Sequence, residues 1–187
     1  MAKLSHRLEY LAARLGMGLA CSLSPRLADS FGATLGGIFH SLAGKRRAIA
    51  TDNLKQALGD RLSDDEIKGI VERVFENIGR TLIEVSRFGR LTPDGMREII
   101  VGEGEEHIHR ANEEGKGAVF LTAHFGNWEL LGQWAGIHGM AIDLLTGTQH
   151  NALIDEMMNK QRRKLGAGVI PLQTSLRGVF KALRANH

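Results

Sequence analysis

The sequence predicts an α/β fold: a mostly parallel sheet with flanking helices, preceded by an N-terminal helical region. Two observations carry this. Late in the chain, the short apolar runs GAVFLTA (117–123), AIDLLTG (141–147) and GVIPL (168–172) alternate with stretches of helical spacing at 127–138 and 151–165. Strand-length apolar runs joined by helix-length connections indicate βαβ units on a parallel sheet. Ahead of them, apolar residues recur at the helical period. A chain of 187 residues with 43% hydrophobic content encloses one substantial core but hardly two. The expected division is a helical region over 1–60 and an α/β domain over 61–187.

Taken in order, Leu8, Leu11, Ala12, Leu15, Leu19 and Leu23 form a helical stripe over 7–23, with Arg7, Glu9 and Arg14 off it. Residues 27–43 are apolar, rich in Gly and Ala, and end at the cluster Lys45, Arg46 and Arg47. Two readings fit this front end. It is either a helical pair covering a core, or a monotopic element whose apolar face enters a membrane interface while the cluster meets lipid phosphates. No apolar run is long enough to span a bilayer.

Ser63 and Glu66 have capping-box spacing. They open a helix whose stripe is Ile67, Ile70, Val71, Val74, Phe75, Ile78, Leu82 and Val85. TPDG (92–95) reads as a turn, REIIV (97–101) as a short strand, and EGEEHIHRANEEG as a helix ended by Gly115.

The net charge of +3 is compatible with anionic lipid, phosphate or nucleic acid and selects none of them. The single cysteine, Cys21, forms no intramolecular disulfide and calls for no oxidising compartment. His107 and His109 diverge on a helix and lack further ligands, so no metal is expected. GATLGG (32–37) has neither the spacing nor the preceding strand of a phosphate loop, so no nucleotide cofactor is expected.

The chemistry concentrates in HFGNWE (124–129). Within one helix, residues five apart point about 140° away from each other, so His124 and Glu129 meet only if one lies outside it. With the strand ending at Ala123 and a helix starting near Asn127, His124 stands at the strand's carboxyl end and Glu129 in the first helical turn. Gly126 supplies the turn and Asn127 the N-cap. Open α/β sheets bind ligands at this location. There a His oriented by a carboxylate serves as general base. The motif contains no Ser or Cys nucleophile, so His124 is expected to activate a hydroxyl of the substrate for direct acyl or phosphoryl transfer. The structural alternative is that His124 caps the strand end while Glu129 complements the helix dipole. Trp128 reads as packing.

HFGNWE after GAVFLTA resembles the lysophospholipid acyltransferase superfamily and, more narrowly, the bacterial lipid A biosynthesis (late) acyltransferases. RRAIATDNLKQALGD, IGRTLIEVSRF and GTQHNALIDEMMNKQRRKLGAGVIPL extend the resemblance on both sides and align Asn151, Asp155, Arg162 and Gly166 with family positions. The resemblance implies His124 as catalytic base and Glu129 as its partner. It places Gly126, Asn127, Asn151 and Arg162 at the substrate, with Arg163 as the alternative to Arg162 and a solvated helix charge as its structural reading. It implies an acyl donor on acyl carrier protein or coenzyme A, and a glycolipid acceptor in lipid A and lipopolysaccharide biosynthesis. It further implies contact with anionic lipid at the cytoplasmic face of the cell inner membrane, peripheral or monotopic, without cofactor, metal or nucleic acid. Thr148 and His150 stand where the family carries basic residues. Family members continue well past the position of His187, so the chain is expected to be C-terminally truncated. A catalytically silent homologue, or an enzyme acting on another glycolipid such as a phosphatidylinositol mannoside, is the alternative reading.

Overall fold

The computed structural model describes residues 3–164 and 166–187. It packs as two compact units, Met17–Arg87 on the one hand and Met1–Gly16 with Phe88–His187 on the other. The boundary expected at 60/61 falls inside the first of these, in a short connection between helices.

The Met17–Arg87 unit holds the end of α1 (Leu4–Ser22), then α2 (Pro25–Leu42), α3 (Gly44–Leu58) and α4 (Asp64–Arg87). Ser24 caps α2 by accepting from the Leu27 amide at 3.4 Å, with Pro25 in the first turn. The capping box of α4 forms as the sequence predicts. The Ser63 amide donates to Glu66 Oε2 at 2.8 Å, and the Glu66 amide to Ser63 Oγ at 3.4 Å. Ile67, Val71 and Phe75 are buried against Ala43, Ala50, Leu54 and Leu62, whereas Leu82, on the same predicted stripe, stays 64% exposed.

Glycines decide how α2 meets α4. A Cβ on Gly36 would lie 2.3 Å from the Phe75 carbonyl oxygen, and one on Gly79 2.1 Å from that of Gly32. Only the absence of side chains lets these backbones approach so closely. GATLGG is thus a helix-crossing element. At the far end of α4, the Arg87 guanidinium donates to the carbonyls of Ala20 (2.5 Å) and Leu23 (2.7 Å), groups left over where α1 ends.

The other unit carries α5 (Pro93–Ile99), α6 (Glu105–Glu113), α7 (Trp128–Ile137), β1 (Asp143–Thr146), α8 (Ala152–Lys164), β2 (Gly168–Pro171) and α9 (Ser175–Arg184). β1 and β2 pair in parallel, Asp143 opposite Gly168 and Thr146 opposite Pro171, with α8 as the crossover. One predicted βαβ unit therefore forms. The sheet is parallel as expected but smaller, because the described residues are mostly helical and their sheet has two strands.

Two predicted strands take other forms. REIIV lies mostly within α5, because Thr92 Oγ1 accepts from the Gly95 amide at 3.1 Å and Pro93 occupies the first turn. TPDG is therefore a helix start rather than a chain reversal. GAVFLTA has no strand neighbour among the described residues, and Val119 (76%) and Leu121 (99%) are exposed. An apolar run becomes a strand only where a second backbone offers it a ladder. Here Gly117 donates to Asn186 Oδ1 at 2.9 Å and Ala118 to the His187 carbonyl at 3.2 Å, while the next three residues are exposed.

Candidate active site

The site grows from the start of α7. Gly126 adopts φ +56°, the left-handed region that glycine tolerates, and so turns the chain between His124 and the helix. Asn127 is the N-cap, its Oδ1 accepting from the Leu130 amide at 3.3 Å. Glu129 then falls in the first turn, where the helix dipole favours a carboxylate. Downstream, Trp134, Ala135 and Ile137 are buried, and Gly132 lies so close to β1 that a Cβ there would meet Leu144 Cδ2 at 2.9 Å. α7 thereby meets Leu144 of β1 and packs along α5.

Glu129 does not stand alone. Arg162 Nε donates to its Oε2 at 3.1 Å and Arg162 Nη2 to its Oε1 at 2.5 Å. The two side chains are only 12% and 11% exposed, so this is a two-point, largely desolvated ion pair. Arg162 Nη1 also donates to Asn159 Oδ1 at 3.0 Å, and Asn159 Nδ2 to Asp155 Oδ2 at 3.0 Å. Asp155 Oδ1 accepts from the Gln149 amide at 2.8 Å. A row of polar side chains along one face of α8 thus ends on the Glu129 carboxylate.

His124 lies in the exposed turn before α7. Its ring stacks at a tilt on Trp128, with centroids 4.9 Å apart. Among the described residues no hydrogen bond joins it to Glu129. The Arg162 fork takes one lone pair on each carboxylate oxygen, which leaves Glu129 able to accept a further donor.

Asn151 is buried at 4% exposure. Its Oδ1 accepts from the Leu153 amide at 3.0 Å at the start of α8, and its Nδ2 donates to the His6 carbonyl (2.9 Å) and to Glu9 Oε2 (2.8 Å). The structure thus brings Glu129 and Arg162 together, sets Gly126 and Asn127 at the turn that presents His124, and turns Asn151 toward α1. Arg163 points elsewhere, to Glu156 at 2.8 Å. Sequence reasoning missed Asn159. Its signal was spacing: four residues after Asp155 and three before Arg162, it shares their helix face.

The family model for bacterial lipid A biosynthesis acyltransferase matches residues 2–187. The chain is 22% identical over 174 residues to lipid A biosynthesis acyltransferase 2 of Shigella flexneri, which covers 92% of this chain and 55% of that protein. It is 24% identical over 153 residues to the lipid A biosynthesis palmitoleoyltransferase of Escherichia coli (strain K12), covering 82% of this chain and 49% of the relative. A lipid A biosynthesis acyltransferase of Shigella flexneri matches to the same extent. The chain spans about half the length of the curated relatives it matches.

Proposed function

The chain belongs to the bacterial lipid A biosynthesis acyltransferase family, and from that premise we propose that it transfers a fatty acyl chain from a thioester to a hydroxyl of a lipid A precursor. The donor is acyl carrier protein or coenzyme A. The observation that supports this most directly is the immobilised carboxylate of Glu129, held on both oxygens by Arg162, one turn of chain from an exposed His124.

In this reading His124 takes the proton of the acceptor hydroxyl as its oxygen attacks the thioester carbonyl carbon. The C–S bond then breaks, and the leaving thiolate recovers the proton from the imidazolium. Glu129 stabilises that imidazolium once the ring closes onto it, since catalytic hydrogen bonds commonly tighten only with substrate bound. Arg162 works through Glu129, most of its donors being committed to that carboxylate and to Asn159. Asn151 acts by anchoring the start of α8, which carries Arg162.

Membrane contact belongs to the same proposal. Leu4, Leu8, Leu11, Leu15 and Leu19 form an exposed stripe along α1, each at least 51% exposed. No described helix is long and apolar enough to cross a membrane. The stripe suits a peripheral contact, which the proposal sets at the cytoplasmic face of the inner membrane. Of the basic cluster, Lys45 and Arg46 are exposed, while Arg47 donates to the His40 carbonyl at 2.7 Å.

Purified chain supplied with acyl thioester and lipid A precursor tests the catalytic reading. His124→Ala is expected to lower turnover about 100- to 10,000-fold without changing the fold, the usual loss when a general base is removed. Turnover within a few-fold of the parent rejects His124 as the base. The open position of His124 favours a second reading, a catalytically silent relative, and a folded parent without turnover on either donor would select it.

A further inference from the structure

α9 has two unlike faces. One holds Val179 and Leu183, both half-buried, and Gly178, where a Cβ would meet Ile170 Cγ2 of β2 at 2.9 Å. The other face carries Arg177, Phe180, Lys181 and Arg184, spaced i, i+3, i+4 and i+7 and all exposed. These side chains line an open recess of about 530 Å³. Phe180 is 58% exposed and the adjacent Leu176 74%.

Among the described residues, no carboxylate pairs with any of the three cations. In this they differ from Arg80, Arg97, Arg162 and Arg163, each of which has an acidic partner, and resemble Lys45 and Arg46; what marks them is that they stand in one row beside the exposed Phe180 and Leu176. A row of unneutralised cations calls for an anionic partner from outside. Its apolar neighbours say which kind. Beyond Phe180 and Leu176, the segment tied to Asn186 and His187 through Gly117 and Ala118 continues into the exposed Val119, Phe120 and Leu121. An acidic protein would match the charges, but it would cover these side chains only if it brought an apolar patch of its own beside its carboxylates. A bilayer interface takes both, phosphates at the cations and the acyl boundary at the aromatic and aliphatic groups.

We propose that the outward face of α9 is a second membrane contact, in which Arg177, Lys181 and Arg184 bind the phosphates of anionic lipids while Phe180 and Leu176 enter the acyl boundary. It shares with the functional reading only the presence of a lipid surface and does not depend on acyl transfer. The unit that carries His124 would then meet the bilayer through a helix following the site in sequence, in addition to α1.

The test uses the full chain with Cys21→Ser and one new cysteine, Leu176→Cys, carrying an environment-sensitive fluorophore. Vesicles of phosphatidylcholine with added phosphatidylglycerol should shift its emission to the blue, and vesicles of phosphatidylcholine alone should not. Combining Arg177→Glu, Lys181→Glu and Arg184→Glu should weaken the response on the order of 100-fold, from the worth of each basic residue at an anionic surface. Phe180→Ser, with the charges intact, should weaken it separately. A probe at Leu8→Cys reports the α1 contact independently. No shift at position 176 on anionic vesicles while the Leu8 probe responds overturns the proposal. So does an undiminished response in the charge-reversed chain, or saturable binding of an acidic carrier protein at this face without any vesicle response.

Discussion

The crossing of α2 with α4 and the segment 117–126 are both built largely of apolar residues and glycine, yet one is packed to the backbone and the other is open to solvent. In the crossing, Gly32, Gly36 and Gly79 bring two helices to near-contact, and Phe75 is 3% exposed. In the segment, Leu121 is 99% and Phe125 90% exposed. The difference lies in the backbone. A helix satisfies its own amides and carbonyls and needs only a matching surface, whereas an extended run needs a second chain at ladder distance before it can be buried. Hydrophobicity supplies the drive in both places, and only the helices hold the geometry to use it.

The largest effect should come from breaking the packed side. Gly36→Val puts a branched side chain where even a Cβ would sit 2.3 Å from the Phe75 carbonyl oxygen. The helices must part, at a cost of about 3 kcal/mol, the upper end for overpacking. Leu121→Ser in the open segment should stay within about 0.5 kcal/mol, as exposed substitutions do. Urea denaturation followed by far-UV circular dichroism compares them, and equal losses would remove the distinction between the regions.

A second contrast lies inside the site. Arg162→Ala strands the Glu129 carboxylate at 12% exposure, which should cost about 3 kcal/mol, the lower end for leaving one charge of a buried pair unpartnered. Arg163→Ala removes a pair whose side chains are 49% and 70% exposed and should cost less than about 1 kcal/mol. Similar thermal shifts for the two would show that the Glu129–Arg162 pair is not desolvated in solution.

The smallest effect concerns the capping box. The Ser63 hydroxyl, and then its backbone amide, hold the Glu66 carboxyl below its ordinary value. Because the folded group is the stronger acid, its contribution is present above the unfolded pKa and is lost as pH falls through the folded one. The stability difference between the parent and Glu66→Gln should therefore be constant near neutrality and shrink below pH 4.5, the group's ordinary pKa. A difference that persists unchanged into acid would show that the carboxylate contributes nothing as a charge.

By itself the sequence determined what depends on neighbours within one or two helical turns. Ser63 with Glu66 started α4, Asn127 capped α7 and put Glu129 in its first turn, Gly126 took the left-handed turn, and the helical spacing at 151–165 became α8. These follow from caps, periodicity and φ preferences, which are local properties of the chain. The tertiary structure alone decided the pairings across distance. It gave Glu129 to Arg162, 33 residues away, turned Asn151 to Glu9, made GATLGG the place where α2 crosses α4, paired β1 with β2, and left GAVFLTA outside the sheet. A guanidinium carries no mark of which carboxylate it will meet, and an apolar run carries none of whether a neighbouring backbone will stand 4.7 to 4.9 Å away, roughly the spacing a ladder requires. Those depend on where whole elements come to rest.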